Sequence, residues 1–240
     1  MTRALCIVVA GDPVPRTVDR IGGFPDLIRR ATGAVWSGPW QTVDARRGEQ
    51  PPELARVAGL IVTGSASSVT SREPWMLATE RYLAQAVSQS VPVLGICFGH
   101  QLLGQALGGL VSANPLGREM GTVELELLAD DPLLDHAERP YLANMSHRDS
   151  VVELPAGARV LARTEREPHA AIRFADSAWG VQFHPEFDRE VMTDYIETRF
   201  EMLLDEGQDA ERIRNSARDT PGGGSVLKRF VEHALAEKSC

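Results

Sequence analysis

A single cysteine separates a strand-like run from a helix-like run in the stretch VLGICFGHQLLGQALGG, residues 93–109. Cys97 has Gly95 two residues before it and Gly99 two residues after it. A nucleophile at a strand-to-helix junction is held on a sharp turn, and nearby glycines leave room for the strained backbone. The positive end of the following helix favours the thiolate, the reactive form of cysteine. The pattern predicts a nucleophile at Cys97, and a buried, inert cysteine is the common alternative at such a position.

A base for this nucleophile is present in the stretch FHPEF, residues 183–187. Residues two apart in an extended segment point to the same side, so His184 and Glu186 are expected to line up. If this segment lies beside the Cys97 turn, His184 takes or holds the thiol proton and Glu186 orients the imidazole ring. The spacing therefore predicts a catalytic triad of Cys97, His184 and Glu186.

The elements that must position these residues follow an α/β pattern. Apolar runs recur, each followed by turn residues and a helix-like segment, at 4–10, 58–64 and 91–97. This order is typical of parallel strands that helices cover on both faces. Alternating stretches after residue 109 predict added antiparallel or mixed strands, at 122–128, 158–164, 170–175 and 178–187. We expect a central mixed, mainly parallel sheet with helices on both faces.

The chain is long enough for one sizeable core and need not be divided further. We expect one domain over residues 1–205, with residues 206–240 as a C-terminal helical extension of the same domain. The glycine cluster at 222–224 indicates a hinge or turn there. Ser225 is a candidate N-cap for a last short helix.

The composition argues against several classes of partner. The chain has 240 residues, 43% of them hydrophobic and 24% charged, as in an ordinary globular protein. Its net charge of -8 argues against a nucleic-acid partner, because binding phosphates needs a basic surface. No apolar stretch approaches the roughly 20 residues that span a bilayer, so no membrane partner is expected.

The cysteines and histidines show no metal or disulfide pattern. Cys6, Cys97 and Cys240 lack the spacing of a disulfide framework, which predicts a reducing, cytoplasmic location. The histidines show no close spacing of metal ligands, at positions 100, 136, 147, 169, 184 and 233. We therefore expect neither a metal nor a cofactor.

The stretch GICFGHQLLGQALGG together with GVQFHPEF resembles the class I glutamine amidotransferases, especially the glutaminase part of GMP synthase. The resemblance runs from residue 4 to about residue 200 and includes the stretches 59–69, 117–121 and 145–151. It implies a flavodoxin-like fold and hydrolysis of a γ-glutamyl amide through a thioester on Cys97. The substrate implied is a small molecule, glutamine or another γ-glutamyl compound.

The resemblance also implies which residues surround the substrate. The oxyanion hole is assigned to the backbone N–H of Phe98 and one from the loop at Gly64 and Ser65. The substrate-binding residues implied are Gln101, one helical turn past the cysteine, and the SHRD segment: Ser146, His147, Arg148 and Asp149. His147 belongs to that segment and is not the expected base.

The sequence departs from the family pattern at two loops. Where the family commonly has Gly-Gly-Pro-Gly-Ser, this chain has Gly-Ser-Ala-Ser-Ser at 64–68. Arg148 stands where the synthase relatives usually carry glycine, which predicts a cation near the α-carboxylate end of the substrate. The 240 residues contain no P-loop pattern for nucleotide binding. The acceptor of any released ammonia is therefore expected on another chain, a synthase partner.

Three functions remain open at this level. The first is a glutaminase-type subunit or amidotransferase, which would release ammonia from free glutamine. The second is a γ-glutamyl peptide hydrolase, and substrate preference would separate these two enzymes. The third is an inert regulatory module that keeps the fold, whose usual sign is a lost nucleophile or base. Cys97, His184 and Glu186 are all present, which favours the enzymes.

Overall fold

The computed structural model describes residues 3–134 and 140–236, so Cys240 and His136 lie outside the described residues. The strands are β1 Ala4–Val9, β2 Trp40–Asp44, β3 Val57–Val62, β4 Val93–Ile96, β5 Leu110–Ala113, β6 Glu119–Glu124, β7 Glu126–Leu127, β8 Leu142–His147, β9 Asp149–Glu153, β10 Arg159–Arg163, β11 Ala171–Ala175 and β12 Ala178–Val181. The α-helices are α1 Pro15–Arg20, α2 Phe24–Thr32, α3 Pro74–Ser88, α4 Phe98–Ala106, α5 Arg189–Thr198, α6 Phe200–Asp205, α7 Ala210–Ser216 and α8 Pro221–Ala236.

An eight-stranded central sheet organises the molecule, in the order β2-β1-β3-β4-β12-β11-β10-β7. The first five strands in this order are parallel to their neighbours. The last three pair antiparallel. Strands β5 and β9, and strands β6 and β8, form two separate antiparallel pairs. The predicted mixed, mainly parallel sheet is confirmed.

Helices cover both faces of this sheet, as predicted. Successive side chains of a strand point to opposite faces. In β1, Ile7 and Val9 join an apolar cluster that contains buried residues of α2 and α8. Cys6 and Val8 join the opposite cluster, which contains buried residues of α3 and α4. The near-continuous burial of β1, β3 and β4 follows from this double covering.

The glycine cluster near the C-terminus is not a hinge, contrary to the sequence-based expectation. Residues 222–224 lie inside α8, which begins at Pro221. A Cβ on Gly223 would lie 3.1 Å from the backbone oxygen of Leu142 in β8, so the glycines allow the helix to approach that strand closely. Ser225 is a helix residue and not an N-cap, since its hydroxyl donates to the Gly222 carbonyl at 2.7 Å. Helix α8 therefore packs into the main core.

The parallel strands bring four chain segments to one edge of the sheet. The segments that follow β1, β3, β4 and β12 all leave at the carboxyl ends of neighbouring strands. The chain passes from β1 to β2 on one side and to β3 on the other, which creates a crevice between the segments after β1 and β3. In the described ranges, no helix has the length and apolar character needed to cross a membrane.

Candidate active site

Cys97 occupies a strained position between β4 and α4. Its backbone has φ 50 and ψ -103, a region that non-glycine residues rarely adopt, and its N–H donates to Val181 at 2.8 Å. A Cβ on Gly95 would lie 2.4 Å from the Gly99 carbonyl oxygen, and a Cβ on Gly99 would lie 2.3 Å from the Val62 oxygen. Both glycines are thus required for the sharp turn, for the steric reason that the sequence suggested. The turn places Cys97 at the N-terminus of α4.

His184 and Glu186 lie beside Cys97, because β12 pairs directly with β4. The Nδ1 atom of His184 is 2.8 Å from the Glu186 carboxylate, and both side chains are buried. Cys97 and His184 line the same pocket, and the Cys97 side chain favours the charged form of the imidazole by raising its pKa. The expected extended geometry is wrong: β12 ends at Val181, and residues 184–187 form a turn closed by the Phe187 N–H and the His184 carbonyl.

Asn144 of β8 holds this turn in place through hydrogen bonds. Its backbone oxygen accepts from the His184 N–H at 2.9 Å, and its side-chain amide donates to the Phe187 carbonyl at 3.1 Å. The hydroxyl of Thr122 donates to the other end of the amide at 2.7 Å. Asn144 is fully buried, so no water competes for these bonds. The antiparallel pair of β6 and β8 thereby contributes to the position of the histidine.

Aromatic rings fix the plane of the imidazole. The His184 ring stacks on Phe187 at a centroid distance of 4.0 Å and an interplanar angle of 11°. Phe24, from the start of α2, is also stacked with it at 6.2 Å and 10°. Tyr195 of α5 packs on Phe187 at 4.5 Å. The ring therefore has little freedom to turn away from Cys97 and Glu186.

The charge state of His184 is set by two opposing influences. Burial, the largest, lowers the pKa of His184, but the Glu186 carboxylate and the Cys97 sulfur outweigh it and raise this pKa to about 10. The imidazole is therefore protonated at neutral pH. His100, one turn into α4, is the opposite case, because burial lowers its pKa to about 3 and it stays neutral. The arrangement is a buried imidazolium, oriented by a carboxylate, in the same pocket as the Cys97 sulfur.

The loop after β3 approaches the sulfur from the other side. A Cβ on Gly64 would lie 2.9 Å from the His184 ring and 3.8 Å from the Cys97 Cβ, so only glycine fits there. Gly11, after β1, is similarly close to Ser65. The glycine that the geometry requires is thus retained at position 64, although the loop lacks the other family glycines. Phe98 is the first residue of α4, so its N–H has no hydrogen-bond partner within the helix.

A pocket of about 200 Å³ is lined by Cys97 and His184. This volume is below the range for drug-sized ligands and suits a small metabolite. Its lining comes from the segments after β1, β3, β4 and β12, from α2 and β8, and from α5 with the residue that follows it: Asp12, Pro13, Val14, Pro15, Phe24, Ser65, Ala66, Cys97, Ser146, His184, Tyr195 and Arg199. The pocket thus lies in the crevice that the sheet topology creates.

Of the five predicted substrate-binding residues, only Ser146 lines this pocket. Its backbone oxygen is 3.8 Å from the Cys97 sulfur. The Gln101 amide donates to the Asp149 carbonyl at 2.8 Å, and the Asp149 carboxylate accepts from Ser68. His147 is buried, and its ring atoms lie 3.0 Å from the Asp149 oxygen and 3.4 Å from a Glu119 carboxylate. These contacts form a polar support behind the pocket.

The structure places Arg148 away from Cys97. Its side chain is about half exposed, and its guanidinium lies 3.4 Å from Glu206. It lines a larger, more open groove of about 1520 Å³ beside β6. Neither Cys97 nor His184 borders that groove. The larger groove therefore borders neither the nucleophile nor the base, and the small pocket is the candidate active site.

The residues that sequence reasoning missed include three that line the pocket and two that support the His184 turn. Phe24, Tyr195 and Arg199 come from helices whose sequences carry no local sign of chemistry, and Asn144 lies in an unremarkable strand. Phe187 ends the FHPEF stretch, so its proximity to His184 could have been inferred from that motif. Among the described residues, no group of His, Cys, Asp and Glu side chains is arranged to hold a metal ion.

Comparisons with known proteins identify the family of this chain. The family profile described as "Glutamine amidotransferase class-I" matches residues 36–202. The chain is 38% identical over 148 residues to "GMP synthase [glutamine-hydrolyzing]" of Aeropyrum pernix, covering 60% of this chain and 28% of that protein. It is 35% identical over 182 residues to the protein of the same name from Shewanella amazonensis, covering 72% of this chain and 31% of that protein. The chain thus spans less than a third of the length of these relatives.

The fold is shared with solved structures. A glutamine amidotransferase from Thermotoga maritima has a TM-score of 0.76 and 20% identity, with 98% of this chain and 99% of that chain covered. At this identity the likeness shows the fold alone. The profile match, which covers more than half of the chain, shows the family and confirms the resemblance found in the sequence. This chain belongs to the class I glutamine amidotransferase family and is, as a member, an amidotransferase enzyme.

Proposed function

We propose that the protein hydrolyses the side-chain amide of glutamine through a γ-glutamyl thioester on Cys97. The observation that carries this proposal is that Cys97 and His184 line one small pocket while the buried Glu186 carboxylate lies 2.8 Å from the His184 ring. Cys97 is the nucleophile, His184 the acid and base, and Glu186 the group that orients His184.

The first half-reaction forms the thioester. The Cys97 thiolate attacks the side-chain carbonyl carbon, and the negative charge moves to the carbonyl oxygen. In our proposal the N–H of Phe98 and an N–H of Gly64 or Ser65 stabilise this oxyanion. The C–N bond then breaks, and the His184 imidazolium gives its proton to the departing nitrogen, which leaves as ammonia.

The second half-reaction consumes water. Once the sulfur is acylated it carries no charge, so one of the two influences that raise the pKa of His184 is gone. The neutral imidazole then takes a proton from water, and the resulting hydroxide attacks the thioester carbonyl. The C–S bond breaks, glutamate leaves, and the thiolate–imidazolium pair is restored. The same histidine thus acts first as acid and then as base.

The substrate contacts are also part of the proposal. We assign a direct contact to Ser146, whose carbonyl lines the pocket. Gln101, His147 and Asp149 act by holding the Ser146 segment, since the Gln101 and His147 side chains both bond to the Asp149 carbonyl and the Asp149 carboxylate accepts from Ser68. Arg148 is left out, because it pairs with Glu206 outside the pocket.

The test is ammonia release from glutamine, together with labelling by a glutamine-mimicking electrophile, 6-diazo-5-oxo-L-norleucine. Mass spectrometry should find one adduct, on Cys97, and Cys97→Ala should abolish both the adduct and turnover. Cys6 is the matched control thiol, because burial raises its pKa to about 12 and it should stay unlabelled. Turnover of γ-glutamyl peptides without turnover of glutamine would replace the substrate in the proposal. Neither turnover nor a Cys97 adduct would refute the mechanism.

We propose that the ammonia is used by a synthase site on a partner chain, in a reducing, cytoplasmic environment. The support is the name of the relatives, "GMP synthase [glutamine-hydrolyzing]", which joins glutamine hydrolysis to a synthase reaction. A free thiol nucleophile fits a reducing compartment, and Cys6 and Cys97 are both unpaired. Addition of the purified partner should raise the rate of glutamine hydrolysis and consume ammonia stoichiometrically with product, and unchanged kinetics would refute the coupling.

A further inference from the structure

Arg199 follows α5 and is a cation in the Cys97 pocket that the proposed chemistry leaves unused. Its Nη1 atom is buried and has no hydrogen-bond partner. No carboxylate among the described residues forms an ion pair with it, whereas neighbouring arginines are paired. Arg118, for example, lies 2.9 Å from Glu206. Arg199 is thus a guanidinium held in the pocket without a counter-ion.

This arrangement is costly for the empty protein. Burial lowers the pKa of Arg199, yet an arginine remains protonated in proteins. A buried charge is tolerated where a partner of opposite charge compensates for lost hydration. Cys97 raises the pKa of Arg199 only through space, because the buried Nη1 atom of Arg199 has no hydrogen bond to the sulfur or to any other group. The missing partner is therefore an anionic group of a ligand in the same pocket.

The guanidinium is fixed relative to the reacting atoms. It lies over the Tyr195 ring at 4.8 Å, Tyr195 packs on Phe187 at 4.5 Å, and Phe187 stacks on His184 at 4.0 Å. This stack connects the cation to the base through rigid rings. An arginine held in this way offers two parallel N–H donors, which match the two oxygens of a carboxylate.

Resting on the proposed function, we propose that Arg199 binds the α-carboxylate of the γ-glutamyl substrate and is its specificity-determining residue. The γ-glutamyl group carries one permanent negative charge, on its α-carboxylate, which three carbons separate from the carbonyl that Cys97 attacks. Arg199 therefore selects α-amino acids over simple amides. It takes the role that the sequence suggested for Arg148.

The experiment removes the charge from either side of the contact. The substrates are L-glutamine and 4-aminobutanamide, which lacks only the α-carboxylate, and the variants are Arg199→Met and Arg199→Lys. The wild type should prefer glutamine by roughly 10- to 100-fold in kcat/KM, as expected for a hydrogen-bonded charge. Arg199→Met should lose most of this preference through a higher KM for glutamine, with 4-aminobutanamide within about threefold of the wild-type value. Arg199→Lys should lie between the two.

The matched control is Arg118→Met, which removes a neighbouring arginine that has its own carboxylate. It should keep the wild-type preference. A purely structural role for Arg199 would reduce turnover of both amides equally in Arg199→Met, and that result overturns the inference. If Arg199→Met does not fold, as judged by circular dichroism, the wild type decides, because equal kcat/KM for the two amides also overturns it. Absence of any amide turnover by the wild type, with Cys97 unlabelled, is instead a failure of the proposed function.

Discussion

Replacing Glu186 by glutamine should lower the pKa of His184 without displacing its ring. A glutamine side chain keeps an oxygen that accepts the Nδ1–H bond, now 2.8 Å long, but it removes the charge. A hydrogen bond to a charged group contributes about 1.5–3 kcal/mol, and one pKa unit corresponds to about 1.4 kcal/mol. The pKa of His184 should therefore fall from about 10 to roughly 8 or 9.

The pH profile of glutamine hydrolysis reveals this change. The imidazolium must be present to protonate ammonia, so deprotonation of His184 sets the basic limb of kcat/KM. At about pH 9.5, a pKa of 10 leaves about 0.76 of the histidine protonated and a pKa of 8.5 leaves about 0.09. Glu186→Gln should thus lose about eightfold more activity at that pH than at pH 7, where both forms are protonated.

The pH at which the protein loses stability should shift in the same direction as the basic limb of activity. The folded pKa of His184 lies above its ordinary value of 6.5, so its contribution to folding is complete below pH 6.5 and is lost as the pH rises through about 10. In Glu186→Gln this loss should end roughly one to two pH units lower, which urea unfolding at several pH values measures. Glu190→Gln is the control, because that exposed glutamate pairs with Arg20 on the surface. Coincident basic limbs for the wild type and Glu186→Gln would show that the Glu186 charge does not hold the proton on His184.

Three further changes test the geometry around the sulfur. The free energy of unfolding, measured in urea, should be about 1 kcal/mol higher for Cys97→Gly than for Cys97→Ala, because glycine adopts φ 50 without strain. Equal stabilities of the two variants would contradict this. Gly95→Ala should destabilise the fold by about 3 kcal/mol or more, since its Cβ would meet a backbone oxygen at 2.4 Å, whereas Gly224→Ala, with its nearest contact at 3.6 Å, should change stability by less than about 1 kcal/mol in thermal unfolding. Asn144→Ala should lower the free energy of unfolding by about 1–3 kcal/mol and should also lower kcat. An unchanged kcat would show that the turn at residues 184–187 keeps its geometry without Asn144.

Local patterns predicted the parts of the site that depend on neighbouring residues. The strand, Cys97 and the two glycines form one continuous stretch, and steric exclusion at Gly95 and Gly99 operates within it. The contact of His184 with Glu186 was also predictable from spacing, but its geometry was not. Asn144 bends the segment into a turn by bonding from another strand, a long-range contact that leaves no pattern in FHPEF.

The elements predicted less well depend on tertiary packing. A run of three glycines favours a hinge when it is considered alone. Here the first turn of α8 lies against β8, and the Tyr141 hydroxyl donates to the Gly222 carbonyl at 2.9 Å, so packing overrides the local preference. Arg199 illustrates the same limit in the site. Its sequence neighbours suggest an ordinary surface arginine, and only the fold brings it to Cys97.

The origin of each group suggests how the proposed chemistry and selectivity are divided within the molecule. Cys97 and His184 follow neighbouring parallel strands, β4 and β12, whose hydrogen bonds fix the separation of the two segments. Such rigidity suits groups that exchange a proton, because their positions must be held to within a fraction of an ångström. Arg199 follows α5 and reaches the pocket through a stack of rings, so its position can change with helix packing while the sheet stays constant. Substitution at Arg199 should therefore change which amide is accepted and leave the acid–base chemistry of His184 intact, which the pH profile of Arg199→Met tests: a displaced basic limb would contradict the division.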